Sequence, residues 1–152
     1  MIRTVLFDLD GTLLNTLTDL SNSVNFALKA HELPERTVQE IRAFLGNGIR
    51  NLIEKSVPFN TSVEVLDKVF QSFKTYYLKH GLDYTTPYAG IMPLLEKLKK
   101  ESFKMAIISN KVDAAVQQLN SQFFADYMDI AVGEKPNVKR KPAPDSVLFA
   151  IE

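Results

Sequence analysis

Apolar positions along this chain change their period several times. Ile2, Val5, Leu6 and Phe7 leave no polar face, which predicts a buried strand over residues 2–8. Leu17, Leu20, Val24, Ala27 and Leu28 then recur at helical spacing, predicting a helix over about 16–31 that Pro34 terminates. Val38, Ile41 and Leu45 predict a second short helix stopped by Gly46. Ile49, Leu52 and Ile53 predict a third, stopped near Pro58. A longer helix over about 62–80 turns Val63, Leu66, Phe70, Phe73 and Tyr77 inward and stops at Gly81.

The segment Thr85-Thr86-Pro87-Tyr88-Ala89-Gly90 reads as a linker, and beyond it helix and strand alternate. Ile91, Leu94, Leu95 and Leu98 place a helix over 91–101, and Phe103–Ile108 reads as a strand. Val112, Ala115, Val116 and Leu119 give another helix, and Met128–Val132 a short strand. A Lys/Pro-rich loop over 133–144 follows, and Val147, Leu148 and Ile151 open a last helix. About 70 residues of helix thus separate the first strand from the rest of an α/β pattern. The expected fold class is α/β, a Rossmann-like parallel sheet core formed by residues 1–15 and 86–152, with a helical insertion over 16–85.

Composition narrows the function. The chain has 152 residues, enough for one core plus a small module. Lys+Arg and Asp+Glu both number 18, so no basic excess points to nucleic acid. No apolar run approaches the roughly 20 residues a membrane span needs. Arg3 precedes an apolar run that Asp8 cuts short, which is not a signal-peptide pattern. The absence of cysteine excludes disulfide and thiol chemistry. The expectation is a soluble, cytoplasmic protein with neither nucleic acid nor membrane as partner.

Three stretches carry candidate chemistry, each following a strand. The first is Asp8-Leu9-Asp10-Gly11-Thr12, in which alternation of the extended chain points both carboxylates the same way. Gly11 permits a tight turn and close approach of backbone amides to a ligand. The others are Ser109-Asn110-Lys111 and Lys139-Arg140-Lys141-Pro142-Ala143-Pro144. In a parallel sheet all three fall at one edge, where α/β folds bind ligands. A carboxylate to attack, a hydroxyl with backbone amides, and a cation are what a phosphoryl group requires. Asp8-x-Asp10-Gly11 is not an EF-hand loop, because the later acidic ligands are missing. Gly46-Asn47-Gly48 reads as a helix–helix turn, and Asp145 as a residue complementing a helix dipole. His31 and His80 sit near helix ends as solvated or capping groups. Phe70, Phe73, Tyr76 and Tyr77 read as core, and Arg50 as a solvated residue within reach of an anionic substrate.

The apolar-Asp-x-Asp-Gly-Thr stretch, with Ser109 and Lys141-Pro142-Ala143-Pro144 following in order, resembles the haloacid dehalogenase superfamily of phosphohydrolases. Phe44-Leu45-Gly46-Asn47-Gly48-Ile49 and Pro87-Tyr88-Ala89-Gly90 resemble the α-helical cap and linker of its phosphoglycolate phosphatase-like members. The resemblance implies an Mg²⁺-dependent phosphatase for a small phosphorylated metabolite, working through an aspartyl phosphate. Asp8 would be the nucleophile, and Asp10 the acid that protonates the leaving alcohol and the base that activates water. Asp8 and the carbonyl of Asp10 would hold Mg²⁺. Ser109 and the amides near Gly11 and Asn110 would bind phosphate oxygens, Thr12 would support the loop, and Lys141 would hold Asp8 and the phosphate.

The sequence also departs from that pattern. Asn15 stands where relatives often have an acid, and Gly133-Glu134-Lys135 where they often have a Gly-Gly-Asp-like turn. The family's fourth motif, an acidic pair completing the Mg²⁺ site, is expected beyond Glu152. On that reading about 60 residues of an ordinary domain are missing, the sheet is incomplete at its C-terminal end, and Mg²⁺ binding is weak. The bare edge left beside the first strand is expected to show as poor solubility, self-association or an edge covered by another chain. The alternatives are an inactive or weakly active C-terminally truncated fragment of such an enzyme, or a related phosphosugar mutase or pyrophosphatase.

Overall fold

A computed structural model describes residues 3–151 of the chain. Ile2, assigned above to the first strand, and Glu152 lie outside the described residues. The chain divides into two compact units, Met1–Asn15 with Pro87–Glu152, and Thr16–Thr86.

In the first unit, β1 (Thr4–Phe7) leads to a tight turn and then β2 (Leu14–Asn15). The second unit is formed by α1 (Leu17–Ala30), α2 (Val38–Phe44), α3 (Gly48–Ser56) and α4 (Val63–His80). After β3 (Thr86–Pro87), which pairs with β2, come α5 (Ile91–Lys100), β4 (Lys104–Val112), α6 (Asp113–Phe123), β5 (Ile130–Glu134) and α7 (Asp145–Ile151).

The main sheet has the order β1-β4-β5, parallel throughout, with Phe7 beside Ile107 and Ile107 beside Ala131. Its centre is β4, where Met105, Ala106, Ile107 and Ile108 are all buried, as expected for a strand covered on both faces. β1 differs from its expectation as a buried strand. Among the described residues it has a neighbour on one side alone, and Leu6 is 38% exposed. The apolar run Val5-Leu6-Phe7 reported the faces of the sheet and not the edge. β4 runs four residues past the predicted end at Ile108, and β5 begins two residues after the predicted start. The ribbon of β2 and β3 had no periodicity to announce it.

In the helical unit, Leu20, Val24, Ala27 and Leu28 of α1 pack with Ile41, Leu52, Ile53, Val69, Phe73 and Tyr77 in one core. The buried row of α4 is Val69-Phe73-Tyr77, spaced by four, with Leu66 and Phe70 flanking it. Val63, expected inward, is 69% exposed because it opens the helix directly after its cap. That cap is Ser62, whose hydroxyl accepts from the Val65 amide. α2 carries a full capping box. Thr37 Oγ1 accepts from the Glu40 amide and Glu40 Oε2 accepts from the Thr37 amide, a bond that holds the Glu40 carboxyl below its ordinary range. Gly81 does end α4, but with φ −70° it is not a left-handed cap. A Cβ there would lie 2.7 Å from the Tyr77 carbonyl oxygen and 3.0 Å from its ring, so glycine is required for space. His31 caps α1, and His80 bonds Asp83 at 2.8 Å.

One buried carboxylate ties the unit together. Asp19, 1% exposed in the first turn of α1, accepts from the amides of Tyr84 and Thr85 and from Thr85 Oγ1 at 2.7–3.1 Å. These bonds join the first helical turn of the unit to its last residues. Asp19→Ala removes the buried acceptor of two amides and a hydroxyl, and should cost about 3 kcal/mol of stability. A urea titration followed by helix ellipticity checks this, and Asp19→Asn should lose less.

Candidate active site

Three C-terminal strand ends meet at one edge of the main sheet, because β1, β4 and β5 run parallel. Asp8 directly follows β1. Leu9 is fully buried and anchors the turn beyond it, where the amides of Leu13 and Leu14 donate to the Leu9 carbonyl at 3.0 and 3.1 Å. Gly11 takes φ +78°, the left-handed conformation its position predicts, and its amide donates to Leu14 O at 2.9 Å. The Thr12 amide donates to Leu9 O at 3.3 Å. Both amides therefore serve the turn that presents Asp8 and Asp10.

Each carboxylate is matched by its own lysine. Lys141 Nζ donates to Asp8 Oδ1 at 2.9 Å and to the Ile108 carbonyl at 2.7 Å. Lys111 Nζ donates to Asp10 Oδ1, also at 2.9 Å. The pairs differ in burial. The side chains of Lys141 and Asp8 are 31% and 47% exposed, those of Lys111 and Asp10 3% and 25%. Asp8 is the more accessible of the two carboxylates, and the Lys111–Asp10 pair is the costlier to separate.

Ser109 is 4% exposed and its Oγ accepts from the Lys111 amide at 3.1 Å, which leaves the hydroxyl proton for an acceptor. Asn110 brackets the backbone of Lys141: its Nδ2 donates to Lys141 O at 3.1 Å, and its Oδ1 accepts from the Lys141 amide at 2.8 Å. The residue expected to offer its amide to phosphate thus spends its side chain on fixing the main chain of Lys141.

A further brace lies behind these groups. Asp113 opens α6 and accepts from the Gly133 amide and from Lys135 Nζ, both at 2.8 Å. Burial raises the Asp113 carboxyl, but the hydrogen bonds from Lys135, Gly133 and Gln117 outweigh it and leave the group below its ordinary value. Asp129 is likewise lowered, chiefly by the Met105 amide and then by Lys104, and ties the start of β4 to the segment before β5.

The structure therefore brings together Asp8, Asp10, Ser109, Asn110 and Lys141, with Gly11 and Thr12 in the supporting turn. Sequence alone assigns no role to Lys111 or to Asp113. A signal for Lys111 was present: a lysine three residues beyond the end of a continuous apolar run needs a partner when the strand is central. Asp145 sits in the first turn of α7 as expected. Arg50 bonds Glu54 and Asp67 at 3.1 and 2.6 Å on the surface of the helical unit.

Known proteins share this fold. The model of the haloacid dehalogenase-like hydrolases matches residues 5–152. The chain is 33% identical over 152 residues to a phosphoglycolate phosphatase of Aquifex aeolicus, covering 99% of this chain and 70% of that protein. It is 31% identical over 156 residues to one of Nitrosospira multiformis, covering 99% of this chain and 69% of the relative. A crystal structure described as a predicted phosphoglycolate phosphatase from Haemophilus somnus superposes with a TM-score of 0.91 at 27% identity, over 97% of this chain and 69% of that one. This chain belongs to the haloacid dehalogenase-like hydrolases. Among the described residues, no helix is long and apolar enough to cross a membrane.

Proposed function

We propose that the protein is a phosphoric monoester hydrolase for a small phosphorylated metabolite of the phosphoglycolate kind, working in the cytoplasm. The observation that carries this reading is the pairing of Asp8 with Lys141 and Asp10 with Lys111 at the C-terminal edge of the sheet. Asp8, the more exposed carboxylate, attacks phosphorus. The bond from phosphorus to the ester oxygen breaks as that oxygen takes a proton from Asp10, leaving an aspartyl phosphate. Asp10, now a carboxylate, accepts a proton from water as the water attacks phosphorus. Inorganic phosphate leaves and the Asp8 carboxylate is restored. Lys141 balances charge on Asp8 and on the phosphoryl oxygens, and Ser109 donates its hydroxyl proton to one of them.

The donors at this edge suit Mg²⁺. The Asp8 carboxylate and the Asp10 carbonyl are hard oxygen ligands, and Mg²⁺ is commonly held through one or two carboxylates with retained waters and substrate phosphate. Among the described residues there is no group of three or more His, Cys, Asp or Glu side chains that could enclose a metal, so this site would rely on those waters. When bound, the cation supplies neutralisation of the phosphoryl charge.

The test is phosphate release from 2-phosphoglycolate with Mg²⁺ present and absent. Release that depends on Mg²⁺ supports the reading. No release from it or from p-nitrophenyl phosphate leaves the inactive-fragment reading in its place.

A further inference from the structure

Lys141 stands beside the nucleophile, yet Lys111 is the more deeply buried of the two lysines. β4 keeps its register with β5 as far as Ile108 beside Val132 and resumes at Val112 beside Glu134, with a shift between. Lys111 lies in that irregular stretch. Its amide is held by Ser109 Oγ, and its carbonyl lies so close to Gly133 that a Cβ there would be 2.7 Å away. With its backbone fixed on both sides, its side chain runs inward and is 3% exposed, and the ammonium meets Asp10 Oδ1 at 2.9 Å. A buried ammonium without a counter-charge is strongly disfavoured, so Lys111 constrains Asp10 as firmly as Asp10 neutralises Lys111.

We propose that Lys111 is the positioning residue for Asp10, holding its carboxyl in place for proton exchange with the ester oxygen and with water. The inference deepens the proposed function and rests on it. Lys111 touches neither phosphorus nor the leaving group. It acts by fixing the carboxyl that does, within the tenths of an ångström that proton transfer tolerates.

Two esters separate this role from a merely structural one. Glycolate leaves poorly and needs a proton, whereas p-nitrophenolate leaves without one. In single turnover, which reads leaving-group departure apart from hydrolysis of the aspartyl phosphate, Lys111→Met should slow glycolate release by ~100-fold, a typical loss of acid–base assistance, with p-nitrophenolate release falling less than ~5-fold. Equal losses on both esters overturn the proposal. A second measurement does not need turnover. In urea unfolding of Asp10→Asn, Lys111→Met and the double variant, the pairing requires non-additive midpoints, with the double variant no less stable than Lys111→Met. Additive midpoints overturn the pairing. If the parent protein hydrolyses neither ester, the proposed function fails, and the unfolding cycle alone then decides the pairing.

Discussion

Asp8→Asn should lower phosphate release by at least ~1,000-fold while leaving the fold intact. The carboxamide keeps the shape of the side chain but removes the charge proposed to attack phosphorus, and its nitrogen and oxygen are poor nucleophiles. Stability should hardly change, because Asp8 is 47% exposed and its partner Lys141 31% exposed. Exposed pairs of this kind contribute about 0–1 kcal/mol. Phosphate release and a urea midpoint, measured on the same preparation, check both halves. Loss of activity together with a large fall in midpoint would mean that Asp8 is structural.

Gly133→Ala should do the reverse and damage the fold first. An added Cβ would lie 2.5 Å from Asp113 Cα, 2.8 Å from the Asp113 amide nitrogen and 2.7 Å from the Lys111 carbonyl oxygen. All three are backbone atoms, so no side chain can rotate aside. β5 must move away from the junction of β4 and α6, at a cost of about 3 kcal/mol. The shift would also disturb the Gly133 amide on Asp113 and the backbone of Lys111, so activity should fall in the protein that remains folded. The urea midpoint measures the first effect, and phosphate release per folded molecule the second. An unchanged midpoint would show that the strands can part at this point without cost.

What the sequence disclosed follows from where its signals were local. The helices of the inserted unit were legible because each carries a stripe and a stop: Leu20, Val24, Ala27 and Leu28 before Pro34 in α1, and Leu52 and Ile53 before Pro58 in α3. Asp8 and Asp10 were legible because two carboxylates ending an apolar run have few structural uses. The tertiary features were hidden. Nothing in Leu6 tells whether its strand is central or at an edge. Nothing in Asp19 announces four hydrogen-bond contacts with residues 65 and 66 positions away. Gly81 and Gly133 looked like punctuation, yet both are glycine because another part of the backbone lies against them. Asn110 showed a polar residue at a strand end, but its grip on Lys141 spans 31 positions. The site was thus readable as a set of chemical groups, while the bonds that hold each group in place become visible in the fold.

The central claim is that Asp8 forms a covalent bond to phosphorus. Acid quenching of the protein during turnover of ³²P-labelled phosphoester, followed by peptide mapping, tests it most directly. The account predicts an acid-stable, hydroxylamine-labile phosphoryl group on the peptide that contains Asp8, absent from Asp8→Asn. Turnover with no label on that peptide, or with label on another residue, would contradict it.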